Sequence, residues 1–153
     1  MENIKELIQD LDWNKPNHII NKSLKELVKV SDEEAILLAD QSNEIFTKYC
    51  WYNAAVILKK IGYPRNQLAL SYLMCWYRDI NWPGVSIITE LLKEIDGKIL
   101  VPIITDAVEI AINQNDSSWA SGLLYLIDEL RISNSYFSIQ SRLSELIELA
   151  QTS

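Results

Sequence analysis

The chain has 153 residues, a net charge of −7, 48% hydrophobic and 23% charged residues, and only four glycines and four prolines. That length suits one domain with a real core, and so little Gly and Pro argues against a loop-rich or all-β fold. The apolar run over residues 99–104 is far too short to cross a bilayer, the charged N-terminus lacks a signal-peptide core, and the deficit of Lys and Arg argues against a general nucleic-acid binder.

Nine helices are expected in chain order. The first covers residues 2–11. The second covers 16–30, with Ile19, Ile20, Leu24, Leu27 and Val28 on one side. Ser31-Asp32-Glu33-Glu34 reads as a capping box, in which the hydroxyl and a glutamate satisfy each other's free amides. It opens a third helix that runs to about residue 49, with a break near Gln41-Ser42-Asn43. The fourth, 51–61, ends at Gly62, a good left-handed terminator. Pro64 opens the fifth, which reaches about Arg78. Asn81 is placed to cap the sixth, with Pro83 in its first turn. Val85, Ile88, Leu91, Leu92 and Ile95 form a one-sided stripe on it, and Gly97 stops it. The seventh, 98–113, holds Pro102 near its start. The eighth follows Asp116-Ser117-Ser118 and carries Trp119, Leu123, Leu126, Ile127 and Leu130. The ninth begins at about Asn134, with Ile139, Leu143, Leu146, Ile147 and Ala150 on one face and a wet opposite side. Val and Ile recur at three and four, not two, so no strand is expected.

Four tryptophans, Trp13, Trp51, Trp82 and Trp119, are separated by 38, 31 and 37 residues, each at the head of a helical apolar stretch. One helix pair per 30 to 45 residues is how a HEAT-type α-solenoid reads. Asp10-Leu11-Asp12-Trp13 matches Asp79-Ile80-Asn81-Trp82 at an offset of 69, and Leu24-Lys25-Glu26-Leu27 matches Leu92-Lys93-Glu94-Ile95 at 68. The expected fold is all-α: a short HEAT-like α-α superhelix of about four helix pairs plus a C-terminal capping helix, in a single domain over residues 1–153. The tryptophans serve best as wedges between neighbouring repeats, burying the ring and leaving the indole N–H near a loop.

Chemistry is sparse. The four glycines are isolated, so no phosphate loop exists. Cys50, Cys75 and the lone His18 cannot make a four-ligand zinc site. The cysteines read as small buried apolar groups kept reduced. Carboxylate pairs such as Asp10 with Asp12 and Asp128 with Glu129 read as solvated. HEAT-like folds host the alkylpurine DNA glycosylases, which need a basic concave face and a carboxylate near stacked aromatics. Trp51, Tyr52, Trp76, Tyr77, Trp82 and Asp79 are available, but Lys59-Lys60 and Arg65 make only a short basic cluster. No catalytic residue, metal or cofactor is expected.

The run from Cys50-Trp51-Tyr52-Asn53 through Gly62-Tyr63-Pro64-Arg65-Asn66, followed by Asp79-Ile80-Asn81-Trp82-Pro83-Gly84, resembles a bacterial domain-of-unknown-function family with a D-[IL]-N-W-P motif on HEAT-like repeats. The resemblance covers about residues 4–130. It implies a small cytosolic superhelix without known catalysis, and some small bacterial proteins of this general sort serve as immunity proteins beside polymorphic toxins.

Charge is uneven: residues 1–75 carry −1 and residues 76–153 carry −6. The first expectation is a non-catalytic, cytoplasmic protein-binding module whose partner is a basic protein, with a neutralised toxin domain as its most concrete form. The alternatives are an enzyme acting on nucleic acid and a structural or dimerisation module. Adjacent residues on a helix point about 100° apart, so an inward Trp turns its neighbour outward. That makes Tyr52 and Tyr77 candidate partner-binding residues, as exposed aromatics are frequent anchors. Asp79 and Asn81 of the motif, and Glu90, Glu94, Asp128 and Glu129 on the acidic faces of the sixth and eighth helices, complete the set.

Overall fold

The computed structural model describes residues 3–133, 136–137 and 140–153, with backbone alone at 140 and 141. These residues form eight α-helices and three 3₁₀ segments, and no strand is found among them. The helices are α1 (Ile4–Gln9), α2 (Asn17–Leu27), α3 (Lys48–Ile61), α4 (Leu70–Leu73), α5 (Val85–Lys93), α6 (Gly97–Asn113), α7 (Ser117–Glu129) and α8 (Gln140–Ala150). No helix among the described residues is long and apolar enough to cross a membrane. Asn134, the expected start of the last helix, and Ile139 lie outside the described residues.

Two expected helices are broken. The capping box forms, with the Ser31 amide donating to Glu34 Oε1 (2.9 Å) and the Glu34 amide donating to Ser31 Oγ (3.1 Å). The helix it starts is only the 3₁₀ turn Glu34–Leu38. Beyond it, Asp40 Oδ1 accepts from the Ser42 amide and Asn43 Oδ1 from the Ile45 amide. Short polar side chains thus supply the backbone with partners in turns, which competes with helix. The fifth expected helix becomes Gln67–Ala69, α4 and Met74–Arg78, with 3₁₀ turns at both ends. In a 3₁₀ turn the side chains at i and i+3 eclipse. Met74 is thereby brought in line with Tyr77 and Leu73 with Trp76, and all four are fully buried or nearly so.

The centre of the core is aromatic. Phe46, Trp51, Trp76 and Trp82 meet with ring centroids 5.2–6.4 Å apart. Trp76 is completely buried, and its indole donates to the Ala39 carbonyl (2.9 Å). Trp119 repeats the arrangement one layer on, donating to the Met74 carbonyl (2.8 Å) with the Arg78 guanidinium 4.5 Å over its ring. The four regularly spaced tryptophans do not share one environment. Trp51 and Trp119 are buried, Trp82 is half-buried, and Trp13 is 46% exposed with one side on Tyr49. The tryptophan outside the period, Trp76, is the most buried of the five.

Two glycines permit close packing. Gly84 has φ +91°, and a Cβ there would lie 3.0 Å from both the Trp51 carbonyl and the Trp76 ring. A Cβ on Gly122 would lie 1.6 Å from the Tyr77 carbonyl oxygen, so α7 rests directly on the backbone of the Met74–Arg78 turn. At the head of α7, Asp116 accepts from the Trp119 amide (3.0 Å). Asp116→Ala removes this cap and is expected to lower the urea-unfolding free energy by about 1 kcal/mol. A loss below a few tenths would show that the cap is dispensable.

A candidate partner-binding face on α3, α5 and α7

On α3, the inner face carries Cys50, Trp51, Ala54, Ala55, Ile57 and Leu58, all buried. The outer line is Tyr52, Val56 and Lys59, at helical spacing, so Tyr52 and Lys59 stand about 10 Å apart on one line. Tyr52 is 45% exposed, as expected from its inward neighbour Trp51. Tyr49, one turn earlier, is exposed and packs on Trp13 at 6.2 Å between centroids. Asn53 fastens this end by donating to the Leu11 carbonyl (2.7 Å). The contact of Trp13 with Tyr49 was not read from the sequence, although the 49/52 spacing on one helix was a readable signal for Tyr49.

The line ends on acid. Lys59 pairs with Glu94, just past the end of α5, at 3.1 Å. Lys93 at the end of α5 pairs with Glu90 (3.3 Å) and with Glu129 (3.3 Å), the last residue of α7. The C-terminal ends of α3, α5 and α7 therefore meet at one edge, and Glu90, Glu94 and Glu129 come together there. Asp128 and Glu129 line an open cleft of about 470 Å³ with Lys93, Leu130 and Arg131. The hydrogen bond to Glu90, and next that to Glu129, raise the pKa of Lys93 above its ordinary value. Glu90, Glu94 and Glu129 are thus shared with lysines that the sequence reading did not connect to them. Exposed pairs of this kind contribute little net stability, so an incoming charge could displace them at small cost.

Tyr77 corrects the expectation. It is fully buried, with its hydroxyl 2.7 Å from Thr89 Oγ1, and that hydroxyl in turn donates to the Val85 carbonyl. Burial pushes its phenol far above the ordinary range. The 100° rule fails because Trp76 and Tyr77 lie in a 3₁₀ turn enclosed on both sides, by the aromatic cluster and by α7. Tyr77 therefore belongs to the core and not to the exposed face.

Asp79 and Asn81 are exposed, but their roles differ from the expected cap. Asp79 Oδ1 accepts from the Asn81 amide (2.9 Å), and the Trp82 amide donates to the Asp79 carbonyl (3.0 Å). They close a turn, Pro83 lies in it, and α5 starts only after Gly84. Trp82 docks on Trp51 at 5.2 Å, which holds the turn to α3. The motif residues are thus mainly structural, with Asp79, Ile80 and Asn81 presented at a fixed tip.

The thiols show no sign of activation. Burial raises the pKa of both Cys50 and Cys75, which favours the protonated, unreactive form. Among the described residues no group of His, Cys, Asp and Glu is placed to hold a metal ion.

Residues 52–153, the part that carries the outer line of α3, the motif turn and the acidic edge, match a family model described as Domain of unknown function (DUF5071). The chain belongs to this family. The DUF5071 match takes in Tyr52, the motif turn and all the acidic candidates, and it leaves out Trp13, α1 and α2. The expected resemblance began near residue 4 and stopped near 130, whereas the DUF5071 match starts later and runs to the last residue. No curated protein and no solved structure matches the chain.

Proposed function

We propose that the chain is a non-catalytic protein-binding module that presents α3, α5 and α7 to a basic protein, and that its most concrete role is to neutralise a bacterial toxin domain by occlusion. In this reading the helices form a short HEAT-like superhelix and the three act as the second helices of successive pairs. The observation that carries the proposal is the single face running from the exposed ring of Tyr52 along α3 to the edge where Glu90, Glu94, Asp128 and Glu129 gather. Aromatic area supplies anchoring and the edge supplies charge, in a half of the chain that carries −6.

The direct test is co-expression with the product of the neighbouring reading frame, followed by binding kinetics on the purified pair. Reversing all four acids to lysine is expected to slow association by about tenfold or more at low salt, with the gap closing as salt rises. Tyr52→Ala is expected to act differently, on dissociation. A partner that binds the four-lysine variant at the unchanged rate rules out the basic-partner reading.

A further inference from the structure

A second charged surface lies outside the DUF5071 match. Residues 14–30 hold four lysines and one glutamate, so a segment of +3 sits in a chain of −7, and the remainder carries −10. The sequence reading, guided by net charge, located no basic face. On α2 the buried residues are Ile20, Ser23 and Leu27. His18, Lys22 and Lys25, continued by Lys29 just past the helix end, recur at four, three and four and lie opposite that buried side. All four are exposed. Lys29 touches Glu26 only at 3.5 Å across two well-solvated side chains. Arg65 adds a cation from elsewhere in the chain, its Nη2 donating to the carbonyls of Val28 (3.0 Å) and Val30 (2.8 Å). The result is a row of three lysines about 10 Å long, with the His18 imidazole at its start and Arg65 near its end.

We infer that this row is a docking site for a short acidic segment of a protein partner. Three features select that occupant. In sequence the row is bounded by acids on both sides, Asp12 and the Asp10–Lys15 pair (2.6 Å) before it and the exposed Asp32 and Glu33 after it. A nucleic acid or an anionic bilayer extends well past a row of about 10 Å and would lie over those acids and near the −10 remainder, within a screening length of about 10 Å. The outer row also carries no apolar residue to insert into a bilayer, and three lysines alone provide only weak membrane attachment. A segment of two or three helical turns with carboxylates at the same spacing meets the row and ends before the flanking acids.

The inference is independent of the basic-partner reading, because it concerns the opposite charge on a different helix. It is tested on the full chain with a fluorescein-labelled 12-residue Ala-rich peptide bearing Glu at spacings of three and four. The peptide is expected to bind at low salt. Lys22→Glu, Lys25→Glu and Lys29→Glu together are expected to weaken it by about tenfold or more, with an unchanged circular dichroism spectrum. Lys60→Glu with Lys98→Glu, on α3 and α6, should leave it within about twofold. Equal binding by the triple variant overturns the inference. So does tighter binding of a 12-residue oligothymidylate or of phosphatidylserine vesicles than of the peptide.

Discussion

Gly122→Ala is expected to be the most damaging single-methyl change in the protein. The added Cβ would sit 1.6 Å from the Tyr77 carbonyl oxygen and 2.7 Å from its carbonyl carbon. Neither atom belongs to a side chain that could swing away. Relief requires α7 to lift from the Met74–Arg78 turn, which would disturb the Trp119 indole bond to Met74 and the Arg78 stack on Trp119. The expected loss is at least about 3 kcal/mol, at or beyond the upper end for overpacking, against a total of roughly 5–15 kcal/mol for a domain. Urea denaturation followed by far-UV circular dichroism measures it. Gly97→Ala is the matched control, because its methyl would meet only Ile132 Cγ1 at 3.9 Å, an ordinary contact. It should be neutral or slightly stabilising, since alanine is the better helix former. A Gly122→Ala loss below about 1 kcal/mol would be inconsistent with this close seat of α7.

The second large effect is at Trp76. Its ring is fully enclosed by Phe46, Trp51 and the Gly84 backbone, and its indole holds the Ala39 carbonyl. Trp76→Ala is expected to cost about 3–5 kcal/mol through lost burial and an unfilled cavity. Trp76→Phe separates the two contributions, keeping a ring while leaving the Ala39 carbonyl without its donor, and should cost about 1–3 kcal/mol. Trp13→Ala, at the most exposed tryptophan, should change stability by less than about 1 kcal/mol. Near-UV circular dichroism gives a second readout, because the coupled rings of the central cluster should lose their signal in Trp76→Ala and keep it in Trp13→Ala. If Trp13 proved as costly as Trp76, the regularly spaced residue would be the structural one after all.

These two sites also show what could be read from residues. The class of the elements was legible because Val85, Ile88, Leu91, Leu92 and Ile95 recur at helical spacing. The Ser31–Glu34 box forms with its expected partners, and the eighth helix starts after Asp116 as expected. The Trp spacing was legible as a pattern, but pattern alone assigned equal weight to Trp13 and Trp119. Burial depends on what covers a residue: Trp119 has the Met74–Arg78 turn and Arg78 over it, whereas Trp13 is 46% exposed with the ring of Tyr49 on one side. Tyr52 was placed correctly because α3 is a regular helix. Tyr77 was not, because a 3₁₀ turn between two packed layers leaves no outward side. The acids of the candidate face were each visible, and Lys93 is a local i,i+3 neighbour of Glu90, but the pairs Lys59–Glu94 and Lys93–Glu129 cross between helices, out of reach of any local rule. On α2, by contrast, the row of lysines was local and readable, and net charge concealed it by averaging over the chain.

Spacing and capping within single elements were enough to read the all-helical class, the approximate place of most helices and which of their faces are apolar. Tertiary structure decided which tryptophan forms the centre, why Gly122 has no side chain, and that the ends of α3, α5 and α7 share one charged edge. Those properties arise from atoms far apart in the chain meeting at a few ångströms, and local periodicity carries no information about which distant surface will arrive.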